Sequence, residues 1–538
     1  MNAGVNTGRR VEKPSGTGFN RPGLSGVSRV GGDGMRMCRL VLLLIALGTP
    51  AVSLGVEAEA VQDPAPPKVS GEASNTTPPP LKAYVRVKKG TAAKPLSKEA
   101  KTHPWTGFLG PTRDGNSTET HLLKTWPKAG PTKVWELAAG DGYASPAIQH
   151  PYLVYPHRVG DSVLVECLHA ETGQQYWQYK FATAYRDRLG YSSGPRSTPV
   201  IDGNRVYIYG AEGVLVCLEL ATGRAIWKRD LVREFRVPQD FFGAVGTPLL
   251  VGDRLVVNIG KVGGPCVAAF HTLTGKLVWV SGKKWGPSYA SPRLVTIHGK
   301  KRVLVFAGGE SRPSTGGLML IDPSNGKLGL EFPWRSRKYE SVNASCPLVV
   351  GGNRIFVSAS YQTGSALLEV GPDLSSHKVV WKMVDAEHNT EPDQLGLHWG
   401  TPLIKDGYLY GFDGRNEPDA SLVCVDLKAG RVVWREEPEW EQTVTVQGVE
   451  QTLTLSTLRG SFLAADGQAL VLGELGQLMW MDLTPKGYKI TQRSSLFLAR
   501  ESWCPPVISR GLLYISQNMR DPVTRSSPRL ICYDLRRR

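Results

Sequence analysis

The stretch that decides the fold runs from Ser197 to Trp227. It opens Ser197-Thr198-Pro199-Val200-Ile201, turns at Asp202-Gly203-Asn204 and continues Val206-Tyr207-Ile208-Tyr209. A third apolar run, Val214-Leu215-Val216-Cys217-Leu218, leads to the turn Ala221-Thr222-Gly223 and the close Ala225-Ile226-Trp227. Short apolar runs separated by Asp-Gly-Asn and Thr-Gly read as antiparallel strands joined by tight turns. The unit recurs. Its proline returns at Pro146, Pro199, Pro248, Pro292, Pro347, Pro402 and Pro505, with Phe462 in a degenerate copy. These eight starts span 359 residues over seven intervals, a mean period near 51. The closing Trp returns at Trp177, Trp227, Trp279, Trp334, Trp381 and Trp434, with Tyr488 as a weaker seventh. Four short strands in a unit of that length describe a propeller blade.

The chain ends agree. The eighth unit supplies strands at 506–509, 512–516 and 529–535 and stops at Arg538 before a fourth. Lys133-Val134-Trp135-Glu136-Leu137, ahead of the first unit, has the fourth-strand Trp and no blade of its own. It is expected to complete blade eight, closing the ring and removing exposed sheet edges. The expected fold is all-β: an eight-bladed β-propeller of four-stranded antiparallel blades over 105–538, the last blade closed by the N-terminal strand.

Composition fits. Glycine is 60 of 538 residues, with 14 Trp and 41% hydrophobic residues, enough turn-formers and core for many short strands. The net charge is +16. Residues 1–104 carry 15 Lys and Arg against 7 Asp and Glu, so half the excess lies outside the repeats. Only Lys300-Lys301-Arg302 and Arg536–Arg538 form basic runs beyond it; no nucleic-acid partner is expected. No apolar run reaches the ~18 residues of a membrane-spanning helix.

Residues 1–60 read as an N-terminal extension and signal peptide. Met35-Arg36-Met37-Cys38-Arg39 is a basic region before the apolar Leu40–Leu47, with small residues beyond, as a signal peptide requires. Export to the periplasm or the extracellular space follows, with no membrane span after signal removal. Residues 61–104, rich in Pro, Ala, Lys and Thr, read as a flexible linker.

Loop length is unequal. Turns between the first two strands of a blade (A and B), and between the last two (C and D), are short. The D-to-A connections 181–196, 230–246, 382–400 and 435–459 are long, as are the B–C loops 308–316, 411–420 and 517–528. Alternating strand direction brings D–A and B–C connections to one face, which is therefore the expected face for a ligand or partner. Its candidate residues are Tyr143, Arg196, Tyr289, Glu310, Trp399, Asp413, Arg415, Glu474 and Trp503, with His398 beside them. Aromatics next to charged groups are suited to stacking and clamping a ligand.

Other motifs carry less. Gly190-Tyr191-Ser192-Ser193-Gly194 fits Gly-x-Ser-x-Gly, but in a D–A connection it lacks the strand-to-helix turn that such a serine needs. The eight cysteines form no Cys-x-x-Cys. Cys167, Cys217, Cys424 and Cys532 hold equivalent strand-C positions in different blades and read as buried apolar fillers. No metal site or catalytic residue is assigned.

The chain resembles the pyrroloquinoline-quinone (PQQ)-like β-propeller repeat proteins of the bacterial envelope. Pro104-Trp105-Thr106-Gly107-Phe108-Leu109-Gly110-Pro111-Thr112-Arg113-Asp114-Gly115-Asn116-Ser117 is similar to the family's lead-in, with Leu109 in place of its usual Arg. Gly411-Phe412-Asp413-Gly414 and Gly473-Glu474 are similar to stretches of secreted members. The resemblance implies two branches. One is non-catalytic and includes the propeller scaffold of the outer-membrane β-barrel assembly machinery. The other comprises quinoprotein dehydrogenases, which hold PQQ and calcium and oxidise alcohols or sugars. This chain lacks the adjacent Cys-Cys pair common among the alcohol dehydrogenases. The expectation is a non-catalytic binding or scaffold module whose partner is an envelope protein or a small-molecule ligand. The alternative is a PQQ- and calcium-dependent oxidoreductase.

Overall fold

The computed structural model describes residues 86–538 apart from 238, 240, 261–262, 385–393, 416–419, 447 and 538. The expected signal peptide and the first part of the expected linker lie outside the described residues.

Eight antiparallel sheets follow one another along the chain as propeller blades. In blade 2 the strands A to D are Val200–Asp202, Arg205–Tyr209, Val214–Glu219 and Ala225–Asp230. Blade 8 consists of Val507–Ser509, Leu512–Gln517 and Arg529–Asp534, completed by Thr132–Ala138 with Trp135 opposite Cys532. The ring closes as the repeat count requires.

The repeated Trp and the repeated turn Gly prove to be two halves of one contact. Trp177 of blade 1 lies over Gly223 of blade 2, where an added Cβ would come 2.6 Å from the ring. Its indole nitrogen donates to Leu220 O at 2.7 Å. Trp135, Trp227, Trp279 and Trp381 make the same inter-blade contact to the next blade's Ala170, Thr272, Pro323 and Leu427 carbonyls. Each therefore buries a large ring and satisfies a turn carbonyl at once. Two members of the expected Trp series are corrected by the register. In blade 4 Met319 pairs with Glu331 and Ile321 with Leu328, so Leu330 takes the closing slot and Trp334 lies beyond it. In blade 7 Trp480 pairs with Gln492, four residues past Tyr488.

The expected linker is also corrected over its described part. Val87–Lys89 adds a fifth strand to blade 8, beside Trp135–Leu137. Arg86 Nη1 reaches Glu166 Oε1 of blade 1 at 3.1 Å, and Lys94 N donates to Asp534 Oδ2 at 2.9 Å. Composition pointed to a solvated segment; these backbone and charge-assisted bonds hold it on the ring instead.

The lead-in that follows lies along the innermost strands. Trp105 exchanges backbone bonds of 2.8 and 2.7 Å with Ile148 in strand A of blade 1. Ile201 N of blade 2 donates to Thr106 O at 2.8 Å, and Ser117 N donates to Ala464 O of blade 7 at 2.7 Å. The A strands of three blades thus find partners for their inner edges, and the segment plugs the central channel. Trp105 is 1% exposed.

The long D–A connections carry their own structure. Asp230 caps the short helix Leu231–Phe235. The connection 435–459 contains a hairpin, Glu439–Val446 with Val449–Ser456, paired to no blade. No helix among the described residues is long and apolar enough to cross a membrane.

Candidate functional site

Above the plug, on the long-loop face, lies a cavity of about 370 Å³. Phe108 and Leu109 of the lead-in contribute to its lining, and so does every D–A connection around the ring. Tyr143 comes from the connection into blade 1, Arg196 into blade 2, Phe242 into blade 3 and Tyr289 into blade 4. Val342 precedes blade 5, Trp399 blade 6, Arg459 blade 7 and Trp503 blade 8. B–C loops add Tyr361 and Arg415. Contributions from all eight connections place the cavity on the propeller axis.

Its walls are aromatic. Tyr143 and Tyr191 lie 5.1 and 5.5 Å from Trp503, and Trp399 lies 6.3 Å from it, between ring centroids. Phe242 is 5.8 Å from Tyr191 and 5.1 Å from Tyr289. Three guanidinium groups stack on these rings: Arg196 4.8 Å from Tyr143, Arg415 4.6 Å from Tyr361 and Arg459 5.6 Å from Trp503. Such geometry is favourable where water is excluded.

Behind this wall lies a buried ion pair. Arg459 Nε donates to Glu474 Oε2 at 3.0 Å, and Nη2 donates to the other oxygen. Glu474 is fully buried and also accepts from the Trp503 indole. Arg459 Nη1 donates to Arg415 O and to His398 Nδ1, the latter at 3.3 Å. Because a guanidinium only donates, His398 Nδ1 is an acceptor there, so the ring proton sits on Nε2 and faces Tyr361 Oη at 3.0 Å. Burial, with Arg459 and Arg415 beside it, pushes His398 down to about 3. His398 is a neutral, doubly bonded member of the wall.

Across the cavity, Arg196 Nη2 pairs with Asp187 Oδ2 at 2.6 Å. The Tyr143 hydroxyl donates to Glu501, and burial raises both groups. Ser192 and Ser193 of the Gly-x-Ser-x-Gly string accept from the backbone of Gly194 and Asp187 and hold their loop.

Six of the nine sequence candidates line the cavity: Tyr143, Arg196, Tyr289, Trp399, Arg415 and Trp503. Glu474 stands one layer back. Glu310 instead meets Arg188 at 3.2 Å and the Tyr339 hydroxyl, and Asp413 is held by Arg435 at 2.7 Å and by Gly396 N. Sequence reasoning omitted Tyr191, Phe242 and Arg459, although all three lie within the long connections; aromatic residues there were the available signal.

The three acidic candidates do not form a common donor set. Each is committed to a different arginine, and a calcium ion needs several carboxylate and carbonyl oxygens around one point. Among the described residues no group of three or more His, Cys, Asp or Glu is placed to hold a metal ion. The cavity offers aromatic faces to a ligand, while Glu310, Asp413 and Glu474, each held by a different arginine, do not fit a calcium ion.

Eight four-stranded blades of this repeat, with the Trp–Gly contact at five of their junctions, define a PQQ-like β-propeller. Residues 161–436 match the family described as outer membrane protein assembly factor BamB, and the chain belongs to that family. It is 21% identical over 276 residues to outer membrane protein assembly factor BamB of Moranella endobia, covering 49% of this chain and 62% of that protein. It is 26% identical over 298 residues to quinohemoprotein alcohol dehydrogenase ADH IIB of Pseudomonas putida, covering 50% of this chain and 39% of that protein. The chain thus spans less than two thirds of either relative's length. A europium-containing methanol dehydrogenase superposes with a TM-score of 0.58 at 11% identity, over 80% of this chain and 98% of the enzyme. That likeness is one of fold.

Proposed function

We propose that this chain is a non-catalytic binding or scaffold propeller of the cell envelope, with its ligand or partner on the long-loop face. The observation that carries the reading is the convergence of all eight D–A connections on one aromatic, arginine-lined cavity, with Glu310, Asp413 and Glu474 each paired to an arginine. Such a surface stacks and clamps. Among the described residues no cluster of three or more His, Cys, Asp or Glu is placed to hold the calcium that PQQ-dependent oxidation would need. The relatives named for outer-membrane assembly support an envelope role, and the N-terminal sequence supports export to the periplasm or beyond.

The second reading is a PQQ- and calcium-dependent oxidoreductase. It draws on the quinohemoprotein relative and on the aromatic lining of the cavity, while the arginine-paired Glu310, Asp413 and Glu474 speak against it.

The test uses a photo-crosslinking residue in the exporting cell, placed at Tyr191 or Leu189 on the cavity rim. These side chains are 39% and 54% exposed. Val278, on the outer strand of blade 3 and 41% exposed, is the control. Adducts at the rim and none at Val278 are expected. Equal labelling, or labelling only at Val278, contradicts the reading.

A further inference from the structure

We propose that the long-loop face pairs with a second copy of this chain, the acidic hairpin of each copy lying on a basic arc of the other about a two-fold axis. The inference rests on the reading of the long-loop face as the binding face and names the partner there.

The hairpin in the connection into blade 7 has two unlike faces. Trp440 and Leu455 stand opposite each other in its ladder and are buried in the core of blades 6 and 7. The Ser495 hydroxyl donates to Gln442, and the Arg493 guanidinium lies 4.4 Å from the Trp440 ring. The alternate positions Glu439, Glu441 and Glu450, with threonines between them, are exposed and look away from the propeller. Between Arg435 and Arg459 the chain has five glutamates and no lysine or arginine. None of the five has an ion-pair partner among the described residues.

Elsewhere on the ring the same face is basic. Arg233 and Arg236 lie in the connection into blade 3, Lys283 in the connection into blade 4, and Arg312 in the B–C loop of blade 4. Arg337 and Lys338 follow in the connection into blade 5, and all six residues are exposed. None has a carboxylate partner among the described residues. Their loops are held in place: Ser314 Oγ donates to Lys338 O at 3.1 Å, and Arg312 lies 4.0 Å from the Tyr339 ring. Two carboxylates of this arc are already paired, Glu234 to Arg229 at 2.6 Å and Glu310 to Arg188 at 3.2 Å. Glu340 is exposed without an ion-pair partner among the described residues, one negative charge among six positive ones.

One chain cannot join its own two patches, because Trp440 and Leu455 hold the hairpin to the blade 6–7 side of the ring. A second copy can. A two-fold axis brings the hairpin of each copy over the basic arc of the other, so both contacts form together and the interface closes. Stackings that set hairpin on hairpin or arc on arc oppose like charges, which fixes the register. The contact also has an apolar element. Val449 at the hairpin's turn is 61% exposed, and Leu189, next to the Arg188 that binds Glu310, is 54% exposed.

Sedimentation velocity of the protein purified from the exporting cell reads the assembly, in low salt and in about 1 M salt, where the Debye length has fallen to about 3 Å. A dimer is expected in low salt, weakened about tenfold or more in high salt. The triple variant Glu439→Lys/Glu441→Lys/Glu450→Lys should be monomeric with an unchanged unfolding midpoint. So should Arg312→Glu/Arg337→Glu/Lys338→Glu. Mixed in equal amounts the two variants should dimerise, because hairpin and arc are then opposite in sign at both contacts. Glu369→Lys, which breaks a surface ion pair with Arg354 in blade 5, should dimerise as the parent. A monomer at every concentration, a dimer indifferent to both reversals, or variants that stay monomeric when mixed would each overturn the proposal. If rim crosslinks to a different protein then appear, the binding-face reading survives without the second copy; if the rim gives no adduct, both fall.

Discussion

Trp177 of blade 1 donates its indole proton to Leu220 O of blade 2 at 2.7 Å, with Gly223 lying directly under the ring. Gly223 has φ of +73°, a region disfavoured for residues with a Cβ. Gly223→Ala should therefore cost more than the ~1–2 kcal/mol of the backbone conformation alone, because the methyl also displaces Trp177. Gly203→Ala is the control: its φ is +54° and nothing lies within 4 Å of the added Cβ. Denaturant unfolding of both variants reads the difference; equal losses would show that the Trp–Gly contact carries no stability.

The Arg459–Glu474 pair makes a second prediction. Glu474 is fully buried, so Arg459→Met leaves a carboxylate without its main partner. A loss of about 3–5 kcal/mol is expected. The double variant Arg459→Met/Glu474→Gln should be the more stable of the two, because no buried charge is stranded. A double variant as unstable as the single one would mean that packing, not charge, dominates.

His398 gives a pH dependence with a definite sign. Its folded pKa lies near 3, below the ordinary 6.5. Between those values the unfolded chain binds the proton and the folded chain does not. Stability from this group is therefore complete above about pH 6.5 and falls as pH drops toward 3, by at most ~1.4 kcal/mol per pH unit. Glu501 is shifted upward and acts in the opposite sense, losing its contribution as pH rises through its folded pKa. Parent minus His398→Gln isolates the histidine. Parallel stability curves for the two proteins between pH 4 and 6.5 would contradict its neutral burial.

The N-terminal boundary is testable by truncation. A chain beginning at residue 95 lacks Arg86 and the strand Val87–Lys89, exposing the edge of Thr132–Ala138 and removing one partner of Glu166. Relative to a chain beginning at residue 86 it should lose on the order of 1–3 kcal/mol. Identical unfolding curves would return residues 86–94 to the role of linker.

The fold was legible because a repeat states the same constraint many times. A Pro, a turn Gly and a Trp at fixed spacing identify blade and period, and the orphan strand with Trp135 identifies the closure. Single departures were not legible. Leu330 replaces Trp in blade 4, and only strand register reveals that Trp334 is out of place. The docking of residues 86–104 was hidden because a Pro- and Lys-rich segment pairing through its backbone has the composition of a solvated one. In the site, loop length located the face, so Tyr143, Tyr289, Trp399 and Trp503 were found as aromatics beside the A strands. Charges were harder. Glu310 and Asp413 sit on the right loops, but partners distant in sequence, Arg188 for one and Arg435 for the other, turn them into structural ion pairs.

The most direct measurement is thermal unfolding of the purified protein titrated with PQQ and calcium, separately and together. A ligand at ~100 times its dissociation constant would stabilise the folded state by about 2.7 kcal/mol. For a propeller that binds through arginines and aromatics, calcium should change nothing, alone or added to the quinone. A saturable rise in midpoint that requires both components would contradict the account and return the chain to the quinoprotein oxidoreductases.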